Sequence, residues 1–454
     1  MLGFARRSLV GALHHTASYG GLPAPPRWAC RRVWSRRFSV TSALEFEFDL
    51  KRRALEGDVP AAAELGKLYL DAENRDARQW LELAAEREVV ESQYLLGVLL
   101  NDSTTSTVAP VAGGTETEGR EQVLREIEQA KKEARQKRKQ RLARQRSAAQ
   151  QPSVESGPTS DADLCVYWLR CAARAGHGPA MVYLGNVLLQ RHRAGGSIGD
   201  GQEALLWYQR AASLQPTPQP DALFNLGTLC FSGQPGLVEA DLVRSMQYFE
   251  QGAKCGDVGC MFWVGHCHLA GEGGAEVNVN KALAWLSHAA QLDHPGAHYH
   301  LALAYRSGQA PVDAVPPLSA ERRAQLFSHH LHAAADLGDG DALFLLADLC
   351  LAEDDVDGEP SSARHHDPAA AVSYLHRAAA AGQPDATVTL GALFYAGKHV
   401  PQDKRRAFEL YNTAAELGSK EAWRNLASMY FLGDGVPKSE EIAKEIMKVV
   451  FHKE

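Results

Sequence analysis

The chain has 454 residues, of which 45% are hydrophobic and 23% are charged, and its formal net charge at pH 7 is −7. This composition supplies enough apolar material for a folded core, and the acidic balance excludes the basic excess of a dedicated nucleic-acid-binding protein. No apolar stretch approaches the roughly 18 residues of a membrane-spanning helix. We therefore expect a folded protein without a transmembrane segment.

The first 44 residues differ in composition from the rest of the chain. They contain seven arginines, no lysine and no acidic residue before Glu45. An arginine-rich, acid-free start is typical of a mitochondrial presequence, and the dominance of arginine over serine disfavours a plastid address. The segment from Arg36 to Ser42 resembles a two-step matrix-processing site, with a mature start near Phe46. We predict a cleaved presequence at residues 1–45 and a location in the mitochondrial matrix or on the matrix face of the inner membrane.

From residue 58 onward the chain repeats a pair of short helical patterns. In the clearest copy, Leu390-Gly391 lies on a first helix and Ala414-Ala415 lies on a second. Equivalent small residues recur every 31 to 45 residues, apart from one longer step, which fits two helices and two loops per unit. The small residues that should let the first helix approach its neighbour are Gly97, Gly185, Gly227, Gly265 and Gly391. The aromatic residues expected to fill the space beside them, four residues before the alanine pair, are Trp80, Trp168, Trp207, Tyr248, Trp285 and Tyr374.

This pattern resembles the Sel-one-like repeat class of the tetratricopeptide group over roughly residues 58–451. The resemblance implies an all-α fold, an α-solenoid of about nine helix-turn-helix repeats, with residues 46–100 holding the first repeats and 161–437 the others. It also implies a non-enzymatic scaffold that binds a protein partner on the concave face of the superhelix. The copy at 295–338 departs most from the pattern, since Ala302 replaces the glycine and His330 replaces the aromatic residue.

Residues 101–160 interrupt the repeats. Their ends are rich in small and polar residues, which predicts a flexible insertion, whereas residues 119–147 favour a helix. The second half of this helix carries nine basic residues against one acid: Lys131, Lys132, Arg135, Lys137, Arg138, Lys139, Arg141, Arg144 and Arg146. The helix is interpreted as a solvated excursion, as a contact with the anionic inner membrane or RNA, or as a nuclear address. No aromatic residue interleaves the charges, which disfavours sequence-specific RNA recognition.

No combination of residues indicates catalysis, a cofactor or a metal strongly. Half of the eighteen histidines lie between residues 266 and 332, close to Cys260 and Cys267, so a metal- or haem-binding carrier is one alternative. Yet no pair of histidines shows ligand spacing on one helix face. The cysteines do not recur at fixed offsets, which favours a reduced compartment, and whether Cys255 and Cys260 pair stays open.

The C-terminal segment 438–454 lacks the aromatic residue and the alanine pair. Ile442, Ile446 and Val449 form an apolar stripe that predicts a capping helix. The preferred function is a mitochondrial interaction scaffold that assists assembly of a respiratory-chain complex or relays mitochondrial stress. The alternatives are an RNA-associated mitochondrial factor using residues 131–146, and the metal or haem carrier.

Overall fold

The computed structural model describes residues 40–72, 76–105, 160–308, 319–352 and 367–451. Most of the predicted presequence and the whole predicted basic helix 119–147, with its nine basic residues, lie outside these ranges. The described residues divide into two compact units, a first unit that ends at Val187 and a second unit that begins at Leu188. Each unit is described by itself.

Nineteen α-helices and no β-strand occupy the described residues. Helix α1 (Val40–Leu55) is followed by nine pairs, each with a first helix, the A helix, and a second, the B helix. The A helices are α2 (Val59–Asp71), α4 (Val90–Thr105), α6 (Gly178–Arg193), α8 (Pro220–Ser232), α10 (Val258–Ala270), α12 (Pro295–Arg306), α14 (Gly340–Leu351), α16 (Pro384–Ala396) and α18 (Lys420–Leu432). The B helices are α3 (Ala77–Ala85), α5 (Asp161–Arg174), α7 (Ile198–Ala212), α9 (Leu242–Lys254), α11 (Val279–Gln291), α13 (Ala320–Asp336), α15 (Pro368–Ala380), α17 (Lys404–Glu416) and α19 (Glu440–Phe451). The repeated pairs confirm the predicted α-solenoid fold class.

The A helices begin at polar capping residues. In most of them the capping side chain accepts a hydrogen bond from the backbone amide three residues later, and that amide belongs to a small buried residue. The pairs are Asp58 with Ala61, Asp257 with Cys260, His294 with Ala297, Asp339 with Ala342, Gln383 with Ala386 and Ser419 with Ala422. The cap therefore fixes where the helix starts, and the small residue lets that first turn lie against its neighbours.

Several B helices end at a glycine with a left-handed backbone. Gly176, Gly256, Gly338, Gly382 and Gly418 all have φ between 81° and 92°. At the first of these, the amide of Gly176 donates to Ala173 and the amide of His177 donates to Ala172. This bonding satisfies carbonyls that the helix leaves unpaired and turns the chain into the next A helix.

In several pairs, a small residue of the A helix lies against a large side chain of the B helix. A methyl group built at Gly66 would lie 2.8 Å from Leu81 Cδ2, and one built at Gly97 would lie 2.7 Å from Leu169 Cγ. In the second unit, Gly227 likewise faces the ring of Phe249. These distances leave no room for a side chain, so glycine at this position sets the separation of the two helices.

The large residue in this contact is one position later than the sequence analysis placed it. Gly265 faces Leu286, which is fully buried, whereas the predicted Trp285 is only half-buried. The same shift holds for Trp80, Trp168, Tyr248 and Tyr374, whose following residues Leu81, Leu169, Phe249 and Leu375 are the fully buried ones. Trp207 is buried together with Tyr208. A shift of one residue turns a helix position by about 100°, so the tryptophans lie at the edge of the contact rather than inside it.

The last helix is also rotated from its predicted orientation. Ile442 is 45% exposed, and the buried residue of α19 is Ala443. Ile446 packs against the core of the second unit, while the side chain of Val449 lies outside the described residues. Ala443 occupies the position that Ala407 occupies in α17, so α19 docks like an ordinary B helix, and the prediction for Ile442 is wrong.

Two helix ends differ from the predicted segment boundaries. Helix α1 begins at Val40, before the predicted mature start at Phe46. Helix α4 continues to Thr105 and therefore includes the first residues of the segment that was assigned to the insertion. Because α4 packs directly against α5 through Gly97 and Leu169, the insertion lies inside one repeat, between its two helices. No helix in the described part of the chain is long and apolar enough to cross a membrane.

Candidate binding surface

Four A helices of the second unit carry an aromatic side chain at the same position, and two of these side chains lie against the first turn of the next A helix. Phe224, Phe262, Tyr299 and Phe344 each follow the N-cap residue of their helix by five positions. All four are half-buried. We call them the aromatic row, and the face that contains it the A face.

Phe224 and Phe262 each pack against the first turn of the next A helix. A methyl group built at Gly259 of α10 would lie 2.7 Å from Phe224, and one built at Gly296 of α12 would lie 3.2 Å from Phe262. Phe262 also stacks on His294, the N-cap of α12, with ring centroids 4.7 Å apart. The row therefore joins neighbouring A helices into one continuous surface.

A histidine cluster lies beside Phe262. The rings of His266 and His300 are 5.2 Å apart, and Phe262 lies 5.4 Å from His300 and 6.2 Å from His266. Burial lowers the pKa of His266 and of His294 to about 4, and it lowers that of His300 to about 3 with help from the two neighbouring imidazoles. All three rings are therefore neutral at physiological pH.

Among the buried side chains of the described residues, His266 alone has polar atoms without hydrogen-bond partners. It is 6% exposed, and neither of its ring nitrogens has a hydrogen-bond partner. A neutral imidazole has one donor and one acceptor, and leaving them unpaired in a buried place costs about 1–3 kcal/mol each. An unsatisfied buried group of this kind is rare in native proteins and calls for an explanation beyond helix packing.

A second histidine pair, His298 and His330, finds its hydrogen-bond and stacking partners within the protein. His298 Nε2 lies 3.0 Å from the carbonyl oxygen of Ala290, and its Nδ1 lies 2.9 Å from Nδ1 of His330. The first contact requires Nε2–H as donor, so Nδ1 of His298 accepts from His330. His330 also stacks on Tyr305, at 5.7 Å between centroids, which explains how a histidine replaces the aromatic residue in this repeat.

Two carboxylates at the start of the next A helix, α14, act electrostatically on Tyr299. Burial, followed by Asp341 and Asp339, raises the pKa of the Tyr299 hydroxyl, so both carboxylates act on that group. Burial also raises the pKa of Asp339 to about 7. Asp339 Oδ1 accepts the amide of Ala342 at 2.8 Å, and Asp341 Oδ1 accepts from the side-chain amide of Gln383 at 3.3 Å.

The histidine-rich repeats do not form a metal site in the part of the chain that the structure describes, where no three His, Cys, Asp or Glu side chains are placed to share an ion. Burial raises the pKa of Cys267 to about 12 and raises that of Cys260 further, so both stay protonated thiols and are poor ligands. Cys255 and Cys260 are both free: Cys255 is exposed, and the sulfur of Cys260 is packed against Gly252.

The sequence analysis singled out packing residues rather than this surface. Gly97, Gly185, Gly227, Gly265 and Gly391 are all buried in A helices. The aromatic row was missed, although its signal is in the sequence, namely an aromatic residue six positions after the turn glycine or its equivalent in several repeats. The sequence analysis did not recognise the row because its position is counted from the N-cap residue, and that residue changes from repeat to repeat. The four N-cap residues are Gln219, Asp257, His294 and Asp339.

Comparison with known families identifies the repeats. The model of the Sel1 repeat matches residues 59–89, 155–177, 178–216, 220–257, 258–294, 340–383, 384–419 and 421–448. Since these matches cover more than half of the chain, the protein belongs to the Sel1 repeat family. No repeat is matched between 295 and 339, where the sequence departs most from the pattern and where α12 and α13 nevertheless form a pair. As in this family generally, the protein is a repeat scaffold for protein–protein interaction.

Several bacterial proteins of known structure are similar to this chain. A Sel1 repeat protein from Oxalobacter formigenes is 22% identical, with 83% of this chain and 86% of that chain covered and a TM-score of 0.43. A protective antigen from uropathogenic Escherichia coli strains that displays an SLR fold is 21% identical, with coverage of 89% and 79% and a TM-score of 0.41. An immunity protein from Pseudomonas aeruginosa is 19% identical, with coverage of 53% and 84% and a TM-score of 0.37. A search of the curated proteins returned no match.

Proposed function

We propose that this protein is a non-enzymatic mitochondrial adaptor that binds a protein partner on its A face and assists the assembly of a respiratory-chain complex or relays mitochondrial stress. The observation that carries the binding part is the A face itself. It joins half-buried aromatic rings, neutral histidines and carboxylates into one surface across α8 to α14. Aromatic side chains are enriched in the cores of protein interfaces and among the residues that dominate binding energy.

The mitochondrial part of the proposal is supported by composition. The seven arginines and the absence of acids in the first 44 residues distinguish that segment from the acidic body. A fusion of residues 1–45 to a fluorescent protein should enter mitochondria, and terminal sequencing of the tagged full chain should begin within a few residues of Phe46. A cytosolic fusion would contradict the proposal.

The binding part is tested by proximity labelling followed by matched variants. The full chain carries a C-terminal tag, so that the N-terminus stays free. Thr228→Lys and Asp348→Lys place a cation on A helices, whereas Gln247→Lys and Ala284→Lys place one on exposed positions of B helices. We expect the A-helix variants to lose the labelled mitochondrial partner and the B-helix variants to keep it. Retention of the same partner by all four variants would contradict binding on the A face.

A contact with RNA through residues 131–146 stays a prediction from the nine basic residues there. If it exists, retention of RNA should fall steeply with salt and be abolished by deletion of 119–147.

A further inference from the structure

At two places in the second unit, the turn inside one pair lies against the start of the preceding B helix. A methyl group built at Gly273, between α10 and α11, would lie 2.8 Å from the carbonyl oxygen of Leu242 at the start of α9. One built at Gly435, between α18 and α19, would lie 2.9 Å from the carbonyl oxygen of Lys404 at the start of α17. The two places are equivalent, and we call them the middle junction and the C-terminal junction.

Polar side chains close the C-terminal junction. Lys404 Nζ donates to Asp434 at 2.8 Å, and the hydroxyl of Tyr395 donates to the same carboxylate at 2.6 Å. Arg405, the next residue of α17, and Lys438, near the end of the turn, are both exposed. The junction therefore presents charged groups to solvent and pairs the central carboxylate with two donors.

The middle junction has apolar side chains at the same positions. The first two residues of α9 and α17 follow a capping aspartate in both cases, and the residues two before the glycine that ends the A helix also correspond. Each turn also begins with a glycine that lies against a residue near its end, at 2.7 Å for Gly271 and Val277 and at 3.1 Å for Gly433 and Lys438. The replacements are Leu242 for Lys404, Val243 for Arg405, Val277 for Lys438 and Phe231 for Tyr395.

Three of these apolar side chains form one exposed patch. Leu242 is 39% exposed, Val243 is 55% exposed and Val277 is 65% exposed. The turn joins them, because Gly273 lies against Leu242 and a methyl group built at Gly274 would lie 3.7 Å from Val243 Cγ2. Exposed apolar side chains that lie together, rather than singly, are typical of interaction sites. We call Leu242, Val243 and Val277 the apolar patch.

The acid beside the patch has lost its donors. Glu272 stands where Asp434 stands at the C-terminal junction, yet neither Leu242 nor Phe231 has a side-chain donor to offer it. The turns and helix starts around the patch carry four acids, namely Glu239, Asp241, Glu272 and Glu276, and two cations, Arg244 and Lys281. A partner that brings a cation would therefore complete at Glu272 the ion pair that Lys404 makes with Asp434.

We propose that the apolar patch binds an amphipathic helix of a protein partner, whose apolar stripe covers Leu242, Val243 and Val277 and whose lysine or arginine pairs with Glu272. The described residues contain no β-strand whose edge could pair with an extended segment, so side chains make the contact, and a helix presents an apolar stripe beside charged residues. The acidic surroundings disfavour an anionic lipid surface. This surface is separate from the A face, because turns and B-helix starts form it.

The test measures binding of a fluorescein-labelled peptide, made of two Lys-Leu-Ala-Lys-Leu-Ala-Lys repeats, to the full chain by fluorescence anisotropy. One comparison peptide has glutamate in place of every lysine, and another has serine in place of every leucine. We expect the chain to bind the first peptide and neither of the others. Absence of binding to the first peptide, or equal binding of all three, would overturn the proposal.

The patch is closed by the double variant Leu242→Lys with Val277→Lys, which introduces the side chains that the C-terminal junction already has. The matched control is Leu292→Lys with Leu337→Lys, since these side chains are 55% and 40% exposed and follow the ends of α11 and α13. Leu292 is separated from Val277 by the length of α11, about 20 Å. Both double variants add the same charge.

We expect the patch variant to weaken peptide binding about tenfold or more, because the apolar contact is lost, and the control to stay within about twofold of the parent. Equal losses in the two variants would overturn the proposal, because they would indicate a dependence on net charge alone. Thermal unfolding checks that both variants fold. If the patch variant does not fold, Val243→Arg, which introduces the side chain of Arg405, takes its place in the same comparison.

The ion pair is tested separately by Glu272→Gln. We expect this variant to weaken peptide binding about twofold to fivefold, as for an exposed ion pair, and to reduce its dependence on salt. The control Glu250→Gln removes one charge at an exposed position of α9, two turns beyond the patch, and should leave binding unchanged. Equal binding by Glu272→Gln and the parent would overturn the proposed pairing.

Discussion

Two regions of the second unit, the middle pairs α10 to α13 and the C-terminal pairs α16 to α19, share their buried contacts and differ on their A faces. In both regions a small residue of the A helix is buried in the pair: Gly265 faces Leu286, and Gly391 faces Tyr411. On the A face, the middle region presents Phe262, His266 and Tyr299. The corresponding C-terminal positions hold Val388, Ala392 and Arg424.

The C-terminal region instead strengthens the contact between repeats. Asp434, in the turn of the last pair, accepts from the hydroxyl of Tyr395 at 2.6 Å and from Lys404 Nζ at 2.8 Å. The buried positions therefore carry the information for stacking, and the A-face positions are free to differ from repeat to repeat. A match to the repeat pattern therefore identifies the scaffold. The choice of partner depends on A-face residues whose identity the repeat pattern does not specify.

The largest expected effect tests the buried contact of the middle region. Leu286→Ala removes a fully buried side chain that lies against Gly265, so we expect the free energy of unfolding to fall by about 2–5 kcal/mol. Trp285→Ala, the neighbouring change at a half-buried position, should cost less despite the larger side chain. Denaturant unfolding of both variants measures this order, and a larger loss for Trp285→Ala would restore the register inferred from the sequence.

The next effect tests the same contact in the C-terminal region. A methyl group at Gly391 would already lie 2.7 Å from the ring of Tyr411. Gly391→Leu should therefore overpack the pair and cost about 1–3 kcal/mol or more. Ala392→Leu adds a similar volume on the exposed side of the same helix and should change the unfolding free energy by less than about 0.5 kcal/mol. Similar thermal unfolding of the two variants would show that α16 is rotated from the described orientation.

The next prediction concerns the pH dependence of stability, which His266 should give to the middle region. The pKa of His266 is lowered to about 4, so the unfolded chain binds a proton there that the folded chain does not. Stability should be constant above the unfolded pKa of about 6.5 and fall as the pH drops toward 4, by about 2 kcal/mol at pH 5 for this ring alone. His266→Phe should reduce this loss, whereas His288→Phe should not. An acid dependence that is the same in the parent and in His266→Phe would mean that His266 is accessible to protons in the folded state.

The smallest effect concerns the bridge in the C-terminal region. Hydrogen bonds from Lys404 and Tyr395 lower the pKa of Asp434. The stability that this carboxylate contributes is therefore present above its unfolded pKa and is lost as the pH falls through the lower folded value. Asp434→Asn should lower the melting temperature slightly at pH 7, and Asp385→Asn, at an exposed position on the A face, should not. Equal melting temperatures for Asp434→Asn and the parent would show that solvent replaces the bridge.

The sequence predicted the elements of the fold because their causes are local. A glycine such as Gly418 ends a helix through its own backbone, and the spacing from Leu390-Gly391 to Ala414-Ala415 defines a helix pair. The sequence did not decide between adjacent apolar residues such as Trp285 and Leu286, since both favour burial and only the neighbouring helix selects one. The same competition misplaced Ile442 relative to Ala443. The unpaired nitrogens of His266 could not be predicted, because they depend on the packing of His300 from another helix.

The central claim, that the partner binds the A face, is tested most directly by site-specific photocrosslinking. A benzophenone amino acid is placed at Thr389 or Asp348 on A helices, and at Gln247 or Ala284 on B helices, in the tagged full chain expressed in its own cells. We expect irradiation to join one and the same protein to the chain from the A-helix positions and from neither B-helix position. Crosslinks to that protein from the B-helix positions, with none from Thr389 or Asp348, would contradict the account.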